Sequence, residues 1–210
     1  MKTFKAVLFD FDGVIGKTME DNYQAWKYAF SKYNIDIDKN EYFLLEGFNT
    51  KKVAWHFLAG GIKNANAVAE IIEAKEKYYF ENNSFSLYEG VEFLIDRLKN
   101  KGYLLGLVSG ANYIRLSKSL EQKFLSKFDV VITGDKVDNC KPHPEPYLKA
   151  ARNLSVNASD CAVIENAPVG IESAKEAGMF CIAICSTLDK SYLKEADMVV
   201  DNIAQLNEFL

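Results

Sequence analysis

Residues 5–15 read Lys-Ala-Val-Leu-Phe-Asp-Phe-Asp-Gly-Val-Ile, an apolar, strand-forming run that ends in two carboxylates, Asp10 and Asp12, followed by Gly13. Side chains at i and i+2 start on the same face of a strand, so both carboxylates are directed toward one small volume. Two like charges at the end of an apolar strand are costly unless a cation or a chemical task holds them there. The plainer alternative is that one Asp caps the next helix and the other is solvated. A cap uses a single carboxylate, however, and leaves the alternating pair without a purpose.

The rest of the chain says what such a strand belongs to. From residue 87 onward the pattern alternates between helix and apolar strand. Helices are expected over 91–101 (ended by Gly102), 112–124, 143–154 and 169–177 (ended by Gly178). Strands are expected over 103–109, 129–133, 161–165 and 180–185, and a further helix, a strand at 198–201 and a last helix close the chain. Near-continuous apolar strands separated by helices specify an α/β fold, a Rossmann-like parallel sheet with helices on both faces.

Residues 16–86 behave differently. Tyr23, Trp26, Phe30 and Tyr33 recur at helical spacing, as do Val53, Phe57 and Leu58, and then Val68, Ile71, Ile72, Lys75 and Tyr79. The expected organisation is an α/β core from 1–15 and 87–210, with a small helical cap subdomain of three or four helices inserted at 16–86. Its aromatics are expected to form its own core. Gly16-Lys17-Thr18 is the expected hinge, with Thr18 as N-cap and Asp21 three residues on.

Composition excludes several classes of function. A chain of 210 residues, 49% hydrophobic and 26% charged, can bury one core without staples. A net charge of -4 leaves no basic stripe for nucleic acid. No apolar run approaches the ~20 residues of a membrane span, and no secretory signal precedes the first Asp, so a cytoplasmic protein without a membrane partner is expected. Four cysteines without a Cys-x-x-Cys pair indicate reduced structural thiols, and two histidines supply zinc or haem poorly. With no strong apolar seam in the pattern, a monomer is the default.

In a doubly wound sheet, ligands gather outside the C-terminal strand ends. Four such ends deliver polar groups to that edge: Asp10 and Asp12; Ser109 with Gly110; Lys141; and Glu165 with Asn166. Each alone has a dull explanation, as a cap, a solvated loop residue or an ordinary ion pair. Their convergence on one edge is the strongest functional signal in the sequence.

These residues also carry a resemblance. The Asp10-Phe11-Asp12-Gly13-Val14 stretch, Ser109, the Lys141-Pro142-His143-Pro144-Glu145-Pro146 stretch and the run 163–179 resemble the four motifs of the haloacid-dehalogenase superfamily of phosphohydrolases. The layout is similar to the helical-cap subgroup, which includes phosphoglycolate phosphatases, sugar-phosphate phosphatases and β-phosphoglucomutases. The resemblance implies a phosphatase acting on a small phosphorylated metabolite. Asp10 would be the nucleophile that forms an aspartyl-phosphate, and Asp12 the acid and base. Mg2+ would lie between Asp10, Asp12, Glu165 and Asn166, a hard cation among oxygen donors. Gly13, Ser109, Gly110 and Lys141 would hold the phosphoryl group. Asp135 is expected to orient Lys141 or the metal's waters, or simply to stabilise its turn.

Two departures qualify this. The superfamily most often has Asp where this chain has Asn166, which offers a neutral oxygen and weaker metal affinity. The mutases usually carry His where this chain has Asn22, and an Arg after the cap's glycine where this chain runs Gly47-Phe48-Asn49-Thr50. Lys51 with Lys52, and Lys17 beyond the hinge, are alternative cations for the substrate; a solvated helix start is the plainer reading of the first two. The alternatives to hydrolysis are phosphoryl transfer between sugar hydroxyls and a non-catalytic binding or regulatory protein on the same fold.

Overall fold

Strand β1, Ala6–Phe9, lies at the centre of a six-stranded sheet whose strands are all parallel. The computed structural model describes residues 3–58 and 64–210; residues 1–2 of the expected core and 59–63 of the expected cap lie outside the described residues. The other strands are β2 (Leu104–Val108), β3 (Val130–Ile132), β4 (Cys161–Glu165), β5 (Phe180–Ile184) and β6 (Met198–Val200). Their order is β3-β2-β1-β4-β5-β6. The order reverses at β1, where Ala6 faces Leu104 on one side and Cys161 on the other. A crevice opens there at the C-terminal strand ends, where Asp10 continues the chain and its amide donates to the Ile164 carbonyl at 3.0 Å.

Alternation along β1 sorts the core into two layers. Ala6 and Leu8 join the cluster under α8 (Glu145–Asn153) and α9 (Pro168–Glu176). Val7 and Phe9 join the opposite cluster under α5 (Val91–Asn100), α6 (Tyr113–Ser119), α7 (Gln122–Leu125) and α10 (Ile203–Phe209). All four of these β1 residues are fully buried, as the apolar run requires of a central strand.

Between β1 and α5 come four helices among the described residues: α1 (Met19–Ser31), α2 (Lys39–Leu44), α3 (Thr50–Leu58) and α4 (Ala65–Asn82). Helix α1 packs along α4, and Tyr23, Trp26 and Phe30 are buried in the cluster that also holds Val53, Leu58 and Ile71. Trp26 stacks on Phe30 at 5.6 Å between ring centroids, and Phe30 meets Phe57 edge-on at 5.4 Å. The aromatics are therefore the core of this layer. The chain leaves and re-enters the sheet region through paired backbone: Lys17 donates to the Ser86 carbonyl at 2.8 Å and Tyr88 to the Ile15 carbonyl at 3.0 Å.

Three sequence expectations fail locally. The helix expected over 112–124 is broken into α6 and α7, because Leu120 turns extended (φ -109°, ψ 134°) and buries itself with Phe124 and Leu125. The helix expected between β5 and β6 is a single 3-10 turn, Lys190–Tyr192. Thr18 stands at the N-cap position of α1 but makes no capping hydrogen bond; its hydroxyl donates to Asp12 Oδ1 at 2.5 Å instead. A capping hydroxyl accepts from a helix amide, whereas this one is turned to donate to a carboxylate, and Asp21, expected to complete the cap, accepts from the Ser84 amide at 2.8 Å.

Candidate active site

The strand ends and the loop before α8 bring Asp10, Lys141, Glu165 and Asn166 together, whereas the Asp12 carboxylate, expected in the same small volume, is drawn away by Thr18, Asn22 and Arg115. Lys141, on the loop before α8, is 1% exposed, and its ammonium donates to Asp10 Oδ1 and Glu165 Oε1, both at 2.6 Å, and to the Val108 carbonyl at 3.3 Å. The peptide bond between Lys141 and Pro142 is cis. Burial opposes the ammonium's charge, but Asp10 and Glu165 more than offset it and hold Lys141 above its ordinary pKa. Burial pushes the Asp10 carboxyl well up, with Glu165 and Asp12 adding to the effect and Lys141 opposing it.

Glu165 is fully engaged. Oε1 also accepts from the Tyr147 hydroxyl at 2.6 Å, and Oε2 accepts from the Asn166 amide at 3.0 Å. The Asn166 side-chain amide donates to Thr187 Oγ1 at 3.0 Å. Two buried oxygens on adjacent strand ends then stand without a hydrogen-bond partner among the described residues, Asp10 Oδ2 and Asn166 Oδ1. Hard oxygens left open in this way beside a desolvated carboxylate fit a divalent cation such as Mg2+. Among the described residues no cluster of three or more His, Cys, Asp or Glu side chains is placed to hold a metal. The donor set is instead one carboxylate and one amide oxygen, open to a backbone carbonyl and water.

Gly13 lies hard against Asn166. It has φ +85°, and a Cβ there would fall 2.1 Å from Asn166 Nδ2. Its amide donates to the Gly16 carbonyl at 2.9 Å, and its carbonyl accepts from Ser186 Oγ at 2.5 Å. Ser109 follows β2 and is buried, and its Oγ accepts from the Ala111 amide at 3.1 Å, shaping the loop around Gly110.

Asp12 points its carboxylate elsewhere. Oδ1 accepts from Thr18 and from Asn22 Nδ2 (3.2 Å), while Oδ2 accepts from Arg115 Nη2. Arg115 Nη1 donates to Asn22 Oδ1 at 2.7 Å, closing a ring of three side chains from β1's extension, α1 and α6. The sequence reading missed Arg115. Its only signal is its place in the first turn of the helix that starts beyond Ser109, above the strand ends.

Above this ring lies a cavity of about 460 Å3 between the helical layer and the sheet, whose lining includes Asn22, Trp26, Glu46, Lys75, Gly110 and Arg115. The loop after α2 crosses beside it: a Cβ on Gly47 (φ +99°) would meet Val169 at 3.2 Å and Lys141 Cδ at 3.4 Å. Asp10 itself is 4% exposed beneath this cover. Lys75, which sequence periodicity puts on the apolar stripe of α4, is buried and pairs with Glu76 at 2.9 Å. Burial lowers its pKa, Arg115 adds to that, and Glu76 opposes.

The remaining expected residues are peripheral. Lys17 is exposed, 5.7 Å from the centre of the Tyr88 ring. Lys51 is exposed on the cavity lining, and Lys52 lies over Phe48. Asp135 accepts from the Tyr113 amide at 3.0 Å, which ties its turn to the start of α6 and leaves Lys141 to Asp10 and Glu165.

A family model described as haloacid dehalogenase-like hydrolase matches residues 7–184. Validoxylamine A 7'-phosphate phosphatase of Streptomyces hygroscopicus subsp. limoneus is 30% identical over 208 residues, which cover 97% of this chain and 96% of that protein. Protein SUPPRESSOR OF QUENCHING 1, chloroplastic, of Arabidopsis thaliana is 31% identical over 96% of this chain, but the chain spans only 20% of that protein's length. The crystal structure of β-phosphoglucomutase from Clostridium difficile has 31% sequence identity and a TM-score of 0.84, covering 98% of this chain and 96% of that one.

Proposed function

The chain belongs to the haloacid dehalogenase-like hydrolase family, and as an enzyme of that family we propose that it is a Mg2+-dependent phosphatase of a small phosphorylated metabolite, of sugar-phosphate or phosphoglycolate type, working through an aspartyl-phosphate. The observation that carries this is the state of Asp10: desolvated, held at one oxygen by Lys141 and open at the other, with Asn166 Oδ1 likewise unpartnered past the end of the neighbouring strand.

The Asp10 carboxylate attacks phosphorus as the bond to the ester oxygen breaks, and Asp12, protonated and turned from Arg115 for this step, delivers the proton that the leaving alkoxide needs. Water then attacks the aspartyl-phosphate and gives its proton to Asp12; inorganic phosphate leaves and the Asp10 carboxylate is restored. Lys141 keeps Asp10 in place and balances the charge of the phosphoryl oxygens, with Ser109 and the Gly110 loop as further donors. Asp10, Asn166 and the Asp12 backbone carbonyl would hold Mg2+, with Glu165 fixing Lys141 and the Asn166 amide around it. When bound, the ion supplies positive charge to the phosphoryl oxygens. The helices of 16–86 act as a cap that covers the site and selects the substrate.

Hydrolysis of p-nitrophenyl phosphate with Mg2+ tests the proposal. Release no greater than that of an Asp10→Asn variant would support a non-catalytic protein instead. The likeness to a β-phosphoglucomutase favours one second reading, transfer between sugar hydroxyls. Interconversion of glucose 1-phosphate without net phosphate release would establish it.

A further inference from the structure

We propose that Thr187, on the loop after β5, is a positioning residue of the metal corner: its hydroxyl accepts from the nitrogen end of the Asn166 side chain and so leaves the oxygen end free to face a cation. This rests on the Mg2+-dependent reading and adds to it a residue that lies beyond the last of the four sequence motifs.

The two ends of an asparagine amide are nearly equal in size and opposite in chemistry. The oxygen is an acceptor and a ligand for a hard cation, whereas the nitrogen presents two N–H donors and no lone pair. An aspartate has two equivalent oxygens and faces no such choice. Asn166 is fully buried, so neither end turns to bulk water. Packing does not choose between them either. A Cβ on Gly13 would fall 2.1 Å from Nδ2, but an amide oxygen in that place would fit against Gly13 equally well. Hydrogen bonding is what separates the two orientations.

Thr187 supplies the acceptor. Asn166 Nδ2 donates to Thr187 Oγ1 at 3.0 Å, while Oδ1 has no partner among the described residues. The Asn166 backbone amide is tied separately, to Glu165 Oε2 at 3.0 Å, which fixes the main chain and leaves the ends of the side chain undecided. Without the Thr187 hydroxyl, the orientation seen here would bury an unanswered N–H donor. Turning the amide over would relieve that cost by sending Nδ2 to the place where Oδ1 now stands. A hydroxyl also donates, so Thr187 answers either end; what it removes is the penalty on the one orientation that a cation requires.

The loop is held where this contact needs it. Ser186 Oγ donates to the Gly13 carbonyl at 2.5 Å, so two consecutive residues grip the two sides of the corner, the turn at Gly13 and the Asn166 amide. Thr187 is half-buried and lines a second cavity, of about 330 Å3, with Cys185 and Leu188. The cavity beneath the helical layer is lined by other residues, so Thr187 acts through Asn166 and not on a substrate.

Calorimetric titration of Mg2+ into the full chain tests this, with circular dichroism to verify folding of each variant. Thr187→Val keeps the shape of the side chain and removes the acceptor, and Thr187→Ala removes it without the branched carbon. Both are expected to weaken Mg2+ binding about tenfold, while Thr187→Ser, which keeps the hydroxyl, stays within about twofold of the wild type. In an Asn166→Asp background the Thr187→Val change is expected to alter Mg2+ affinity by less than about twofold, because either carboxylate oxygen serves. An equal loss in the two backgrounds is the mark of a loop that merely keeps the corner in shape, and it overturns the inference. Wild-type affinity in Thr187→Val overturns it too, as does a loss in Thr187→Ser as large as in Thr187→Val. A wild type that binds no Mg2+ removes both this inference and the metal-dependent reading. The expected pattern of binding without phosphate release by the wild type leaves this inference standing and removes the phosphatase reading.

Discussion

Lys141 Nζ lies 2.6 Å from Asp10 Oδ1, although 131 residues of chain separate them. The contact joins the end of the central strand to the loop before α8, and Glu165 completes it from β4 at the same distance. Replacing Lys141 by Met leaves two buried carboxylates facing each other without a cation. The expected loss is about 3–5 kcal/mol of stability, a fall in Tm of about 10 °C, together with loss of phosphatase activity. Thermal unfolding checks it; an unchanged Tm means the ion pair contributes nothing net.

The metal site is expected to respond to residue 166 in a graded way. Asn166→Asp supplies an anionic oxygen where Oδ1 now stands unpartnered, and Mg2+ is expected to bind about tenfold tighter; Asn166→Ala is expected to weaken binding by a similar factor. Chelation is expected to abolish turnover. Calorimetric titration with Mg2+ reads the series, and equal affinity across the three proteins removes Asn166 from the site.

Gly13 tests how closely the same corner is packed. With φ +85° and a would-be Cβ 2.1 Å from Asn166 Nδ2, Gly13→Ala must both strain the backbone and displace Asn166. The expected result is a weaker Mg2+ dependence curve and at least a tenfold lower kcat/KM. Wild-type kinetics in this variant would show that the turn relaxes freely.

Glu46 carries a pH signature. Burial raises its carboxyl from 4.5 to about 7, with Asp12 adding to the shift and Arg115 and Tyr42 opposing it. A carboxyl raised in the folded state favours folding while neutral. That contribution is present below pH 4.5 and is lost as pH rises through 7. Because Glu46 is only half-buried, the wild type should lose about 2 kcal/mol relative to Glu46→Gln between about pH 4 and pH 8. Urea unfolding of the two proteins across that range measures it; a pH-independent difference contradicts it.

The parallel sheet was legible because its strands are buried on both faces and therefore read as plain apolar runs, Ala6 to Phe9 and Cys161 to Ile164 among them. That Asp10, Glu165 and Asn166 would share one edge was legible because a strand end fixes where the next side chain goes. The turn of Asp12 toward Arg115 was not, and Lys141 reaches Asp10 from a loop beyond β3 rather than from a strand end. Arg115 was not legible, since its partners Asp12 and Asn22 lie 103 and 93 residues away and a lone Arg in a helix looks the same whether solvated or buried. Lys75 shows the same limit from the other side: periodicity placed it on the buried stripe beside its chain neighbour Glu76, and only tertiary packing supplies the cavity that explains a charge there. The break at Leu120 is likewise a tertiary effect, a large apolar residue leaving the helix to reach the core.

The backbone pairing of Lys17 with Ser86 and of Ile15 with Tyr88 brings the two ends of the 16–86 segment side by side. To the sheet, some seventy residues of insertion are equivalent to one tight turn. An insert of another length or shape can therefore leave from and return to the same two paired positions without disturbing strand order. Grafting a foreign helical insert between those two paired positions is the corresponding route to altered selectivity.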